Sequence, residues 1–302
     1  MKITTRPRAL ALPVALVAAS LLAQPATSRA TLLAYDSFDT YTKDVALKDN
    51  TLNDGTGWLA AWGSGGGTVN ISDKALTWTL DNFTYGGGAS VAVSGANNSS
   101  AIRRDLASSV TNGSDIYVSM LFQVVQENGA AGTLVSGHYA GWSPRDGTFA
   151  SGEDNTLTLG TGSSSGTWAG ARVNNNNSTV KTALQYNTTY LVVVRFSGWD
   201  GTSYKTTTTW LNPSSGDLAS ANDSIVATIT ASAGGSTSFN GLQLRTNSLG
   251  TDTYYFDDIR IGTNWNDVVL TQIPESATSA TLSALGVSGI VLAAMITRRR
   301  FL

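Results

Sequence analysis

Residues 115–126 read DIYVSMLFQVVQ, and this stretch decides the fold. Ile116, Val118, Met120, Phe122 and Val124 recur at every second position, so a β-strand carries all five on one face. Tyr117, Leu121 and Val125 partly fill the other. A strand apolar on both faces belongs in the middle of a sheet that is covered on both sides.

The same alternation extends outward from it. Residues 190–196 set Tyr190, Val192, Val194 and Phe196 on one face and Leu191, Val193 and Arg195 on the other. Residues 204–210 place Tyr204 and Trp210 on a threonine-rich face, the pattern of a half-exposed strand. Between them Gly198-Trp199-Asp200-Gly201 is a hairpin signal. Further strands are predicted at 32–38, 75–80, 90–93, 133–139, 156–159, 167–173, 179–184, 225–230, 242–245 and 253–261. Residues 160–166 and the asparagine run 174–177 read as loops at the edge of the sheets. No long helical period and no repeat of 20–50 residues interrupts this pattern. So many short strands exceed a seven-stranded immunoglobulin module. They suit an all-β, two-sheet antiparallel jelly-roll sandwich.

Residues 31–272 form a single domain large enough to bury a core without covalent staples, and the chain has no cysteine with which to make one. This domain holds 12 Lys and Arg against 20 Asp and Glu, whereas basic residues crowd the two ends. An acidic domain lacks the basic surface that phosphate requires, which argues against a nucleic-acid partner.

The two ends of the domain make a pair. Leu33-Ala34-Tyr35-Asp36-Ser37-Phe38-Asp39 opens it, and Tyr254-Tyr255-Phe256-Asp257-Asp258-Ile259-Arg260-Ile261-Gly262 closes it, followed by Trp265. Together with Gly57-Trp58 and Ala61-Trp62 they resemble the laminin-G-like, concanavalin A-like jelly rolls. That resemblance implies neighbouring first and last strands, and it carries no catalytic motif.

Residues 1–30 have the layout of a signal peptide: Lys2, Arg6 and Arg8, then an apolar core at 9–23, then Ser28-Arg29-Ala30 before Thr31. At the other end, residues 277–297 carry no charge and are long enough as a helix, at about 1.5 Å per residue, to span a bilayer core of about 30 Å. Arg298, Arg299 and Arg300 follow and fix the terminus on the cytoplasmic side. With Pro274-Glu275-Ser276 ahead of it, the arrangement of residues 273–302 resembles the PEP-CTERM sorting signal, although Ser276 stands where that motif has a second proline. The resemblance implies an exported protein held at the inner membrane as a precursor and recognised at Pro274 and Glu275. The recognising partner would be an exosortase-type processing enzyme, and the mature form would lie at the cell surface or outside it. The family association is with exopolysaccharide and biofilm matrix.

Catalytic signals are sparse. The Glu-x-Asp-x-Glu run of jelly-roll glycoside hydrolases is absent, Glu127 and Glu153 lie in loop-like surroundings, and Asp257 and Asp258, being adjacent, should point to opposite faces of a strand. His138 is the sole histidine, too few for a histidine-rich zinc site. Calcium needs only oxygen ligands, and Asp36, Asp39 and Asp257 would share a site if the first and last strands pair. Trp142 and Trp199, both beside glycine, are the candidates for exposed, sugar-stacking rings. The expected function is a non-enzymatic cell-envelope protein with a structural or adhesive matrix role. The alternatives are a carbohydrate-binding module using those tryptophans and calcium, or a diverged glycan hydrolase or lyase.

Overall fold

The computed structural model describes residues 32–50, 54–64, 68–94, 101–126, 139–145, 155–160, 168–174, 176–178, 183–214, 225–247 and 249–270. The expected signal peptide, the expected sorting signal with Pro274, Glu275 and Arg298–Arg300, and the predicted strand at 179–184, save its last two residues, lie outside them, as does 133–139 except Tyr139. His138, Glu127 and Glu153 lie outside them too.

Seventeen strands are described. In chain order the first nine are β1 Leu32–Asp36, β2 Gly63–Ser64, β3 Thr68–Ser72, β4 Thr77–Leu80, β5 Phe83–Gly86, β6 Ser90–Ser94, β7 Ala101–Asp105, β8 Ile116–Gln126 and β9 Tyr139–Pro144. The rest are β10 Thr156–Gly160, β11 Trp168–Val173, β12 Asn176–Asn177, β13 Tyr190–Trp199, β14 Tyr204–Leu211, β15 Ile225–Thr230, β16 Gly241–Asn247 and β17 Asp252–Gly262, followed by a single-turn helix α1, Trp265–Val268. They form the expected two-sheet antiparallel jelly-roll sandwich. One sheet runs β15-β14-β13-β8-β17-β6-β3 with β1 added against β17, the other runs β12-β11-β10-β9-β16-β7-β2, and β4-β5 is a separate hairpin. The pairing of β1 with β17 joins the opening and closing segments, as the resemblance implied.

β8 sits between β13 and β17, as its two apolar faces require. Ile116, Val118, Met120, Phe122 and Val124 enter the core between the sheets. Tyr117 and Leu121 point the other way, into a second core with Leu76, Tyr85, Leu191, Val193, Trp210, Trp265, Val268 and Val269. That second core covers the outer face of the eight-stranded sheet with the β4-β5 hairpin and α1. Trp210 therefore lies buried against Trp265, their ring centroids 5.1 Å apart, where a half-exposed strand was expected. The asparagine run, expected as a loop, makes a short hairpin in which Asn176 and Asn177 pair with Val173 and Arg172.

Between the sheets lies one buried ion pair. Asp36 of β1 belongs to the eight-stranded sheet and Arg104 of β7 to the other, and the Nη1 of Arg104 contacts the Oδ2 of Asp36 with both side chains out of water. The same oxygen accepts from Tyr41 Oη at 2.9 Å and Trp62 Nε1 at 2.8 Å, and Oδ1 accepts the Phe38 amide at 2.9 Å. Arg104 also donates to the carbonyls of Ala60 at 2.8 Å and Asp54 at 2.6 Å, with its guanidinium 4.9 Å and 5.5 Å from the rings of Trp58 and Trp62. Removing one partner strands the other charge, at a cost of about 3–5 kcal/mol. Asp36→Asn or Arg104→Met is thus expected to lower the denaturation free energy by about that amount, and the double variant by less than the sum of the two. Additive losses in urea titrations would refute the coupling.

Candidate functional site

The residues singled out in the sequence fall in different places. Trp142 is not on a loop: it lies in β9, fully buried, edge-on to Phe256 at 5.2 Å and to Trp62 at 6.4 Å. It is unavailable for sugar stacking. Its neighbour Gly141 marks a close approach, since a Cβ there would lie 2.1 Å from the Tyr139 hydroxyl and 2.9 Å from Thr156 Cγ2. Trp199 ends β13, half-buried, with its ring packed against Tyr204 at 5.1 Å. Trp58 and Trp62 belong to the core around Arg104.

The three aspartates do not fit a shared calcium site. Asp36 is enclosed by Arg104, Tyr41 and Trp62 in the main core. Asp257 lies on the opposite face of the sheet, close to Gly86 and Leu121. Asp39 accepts the Ala89 amide at 3.1 Å. Among the described residues no group of three His, Cys, Asp or Glu side chains could hold a metal ion.

Asp257 and Asp258 also depart from simple alternation. The register of β17 against β8 slips between Asp257 and Arg260, and Asp258 takes a left-handed φ of 48°, so a β-bulge brings both carboxyls toward Gly86. Asp258 Oδ2 accepts the Gly86 amide at 2.7 Å and Oδ1 pairs with Arg260 Nε at 2.9 Å. The Arg260 guanidinium lies 4.2 Å from the Tyr35 ring centre. Asp257 Oδ1 accepts the Asp258 amide at 2.6 Å, while its Oδ2 is buried with no hydrogen-bond partner. Burial, and then the charge of Asp258, push the Asp257 carboxyl up to about 9. Gly86 has φ 67°, and a Cβ there would lie 2.2 Å from the Leu76 carbonyl and 2.8 Å from Asp257 Oδ2, so this packing requires glycine. It is a structural device.

The outer face of the seven-stranded sheet is a different environment. Its inner face supplies Ile102, Ala140, Trp142, Leu157, Leu159, Ala169, Ala171, Leu242 and Leu244 to the core, so the intervening residues face outward. The strand registers align them in one row across the whole sheet: Gly63, Arg103, Gln243, Ser143, Thr156, Arg172 and Asn177 (with Ser143 opposite Thr156 by continuation of the β9-β10 pairing). A parallel row holds Arg245, Gly141 and Thr158. Asp105 and Arg145 form an ion pair at one border. Tyr139 hydrogen-bonds Arg172, and burial raises its phenol against the opposing pull of Arg172 and Arg245. The hydroxyls of Thr207 and Thr209 donate to the carbonyls of Arg172 and Gly170, each at 3.2 Å, and pin β11 to the other sheet.

Four of the domain's seven arginines occupy this face, in a domain whose acids outnumber its bases. Ser143, Thr158 and Gln243 are each about 1% exposed, yet Ser143 Oγ, Thr158 Oγ1 and Gln243 Oε1 have no hydrogen-bond partner, and neither has Arg145 Nε. Buried polar atoms of this kind are costly unless something satisfies them. The arginines of this face, with Arg103, Arg145 and Arg172 half-buried and Arg245 exposed, make it the candidate binding site. None of these residues was singled out in the sequence. The only signal is the alternation itself, Thr156-Leu157-Thr158-Leu159 and Leu242-Gln243-Leu244-Arg245.

No protein-family model and no curated protein matches the sequence. Among solved structures, the chain is similar to the metal-free carbohydrate recognition domain of Emp46p, with TM-score 0.40, 9% identity and coverage of 74% of this chain and 98% of that one. It is similar to lectin II from Ulex europaeus, with TM-score 0.39, 12% identity and coverage of 77% and 99%. For the CBM22-1 xylan-binding domain of Paenibacillus barcinonensis Xyn10C the values are 0.34, 13%, 77% and 94%. The chain spans 49% of HCR/D-Sa-GBL1/C and 42% of the botulinum neurotoxin DC binding domain, which it also matches. Likeness at these scores decides neither family nor ligand.

The buried carboxyl gives a pH prediction. Asp257 has a folded pKa of about 9, above an unfolded value of about 3.9, so its contribution is fully favourable below pH 4 and is lost as pH rises toward 9. Asp257→Asn is expected to melt higher than the wild type at pH 8, by about 2–4 °C for each kcal/mol relieved. It should also flatten the fall in melting temperature between pH 5 and pH 9. Parallel curves for the two proteins would refute this.

Proposed function

We propose that this chain is an exported glycan-binding protein of the cell envelope, with no catalytic role, and that the outer face of the seven-stranded sheet is its binding surface. The observation that carries this reading is the set of outward-facing arginines, Arg103, Arg145, Arg172 and the exposed Arg245, on one face of an acidic domain. Sugars present many hydroxyls, each able to donate and accept, and so complement a surface mixing guanidinium, hydroxyl and amide groups. Arginines spread over several strands suit an extended polymer better than a compact ligand. The chain would be exported by residues 1–30 and held by residues 277–297. An exosortase-type enzyme would process it near Pro274-Glu275, leaving the domain in contact with exopolysaccharide.

Two measurements test this reading. On a glycan array the full-length protein is expected to bind at least one polysaccharide, and Arg245→Gln to weaken that binding severalfold while melting close to wild type, because this side chain is exposed. Binding unchanged in the variant would remove the face from consideration, and silence across the array would remove the function. Separately, deletion of residues 273–302 should shift the protein from the membrane fraction to the soluble one in cells. Identical fractionation would dismiss the tail as an anchor.

A further inference from the structure

The charge on this face narrows the ligand class. Among the described side chains it carries Arg103, Arg145, Arg172 and Arg245 and one acid, Asp105, whereas the domain as a whole is acidic. We propose that the ligand is an acidic polysaccharide, one whose sugar units bear carboxylates, and that the arginines select it. The inference rests on the glycan-binding reading above and adds the chemistry of the repeating unit.

Arrangement as well as charge supports it. Arg103, on β7, and Arg172, on β11, are four strands apart in one row, about 19 Å at strand spacing. Arg245 lies between them on β16, one step along the strand from the Gln243 position in the row. Cations at separated points along a line match the spaced carboxylates of a polymer better than a single anion. A guanidinium presents its donors as a planar fork that fits a carboxylate with two hydrogen bonds, which an ammonium does not. All the positive residues described on the face are arginine, and no lysine is among them.

The test uses the full-length protein and three polymers: polygalacturonate, the same polymer with its carboxyls reduced to neutral alcohols, and dextran sulfate. Calorimetric titration is expected to show binding to polygalacturonate at least tenfold tighter than to the carboxyl-reduced form, with affinity falling as salt rises. Arg172→Gln and the exposed Arg245→Gln should each weaken polygalacturonate binding by a larger factor than binding of the reduced polymer. Arg245→Gln keeps the test open if Arg172→Gln fails to fold. Equal binding of the acidic and reduced polymers would overturn this inference and leave the glycan-binding reading standing. Binding of neither would overturn both. Equal binding of dextran sulfate and polygalacturonate, insensitive to either arginine variant, would reduce the effect to unspecific charge and overturn the selection.

Discussion

The sandwich depends on one salt bridge placed where water does not reach. Asp36 and Arg104 come from opposite sheets, so the pair fixes both their separation and their register, which apolar packing alone would leave adjustable. An ion pair in such a place is tolerable only if every remaining donor and acceptor finds a partner. The segment 38–62 supplies them: the Phe38 amide, the Tyr41 hydroxyl, the Trp62 indole and the carbonyls of Asp54 and Ala60. Two tryptophan faces close over the guanidinium. A long connection with little regular structure is thereby ordered by the charges it surrounds. The cost of this arrangement explains why Asp36 is not free to serve a cation.

The eight-stranded sheet is buried on both sides, and the seven-stranded sheet on only one by the core. This asymmetry divides the roles of the two layers. On the first, the β4-β5 hairpin, α1 and the bulge at Asp257-Asp258 seal the outer face, with Arg260 pressed against Tyr35, Phe83 and Tyr85. On the second, the outward positions keep polar side chains, with Ser143, Thr158 and Gln243 out of solvent and Arg245 exposed. Substitutions in the arginine rows need not disturb the core.

Much of the fold was legible in the sequence because the period of two is a local property. The double-faced run at 116–124 gave a central strand, and the paired ends gave the β1-β17 contact. The failures each involve something remote. Gly141 beside Trp142 looked like a turn, whereas its missing side chain makes room for the Tyr139 hydroxyl within a strand. Trp210 looked half-exposed because the layer covering it comes from residues near 76–85 and 265–269. Asp257 and Asp258 were expected on opposite faces, and a bulge put them together. The candidate site was invisible for a related reason. Arg103, Ser143, Thr156, Arg172 and Gln243 lie on five strands, and only the inter-strand registers bring them into line.

The way the chain leaves the domain has a consequence for how the molecule stands. The Ser119 hydroxyl donates to the Val268 carbonyl at 2.9 Å and that of Tyr85 to the same atom at 3.2 Å, which staples the last described turn to the back of the eight-stranded sheet. Residue 270, the last one described, therefore lies on the side opposite the arginine rows. The topology alone gives the domain a front and a back.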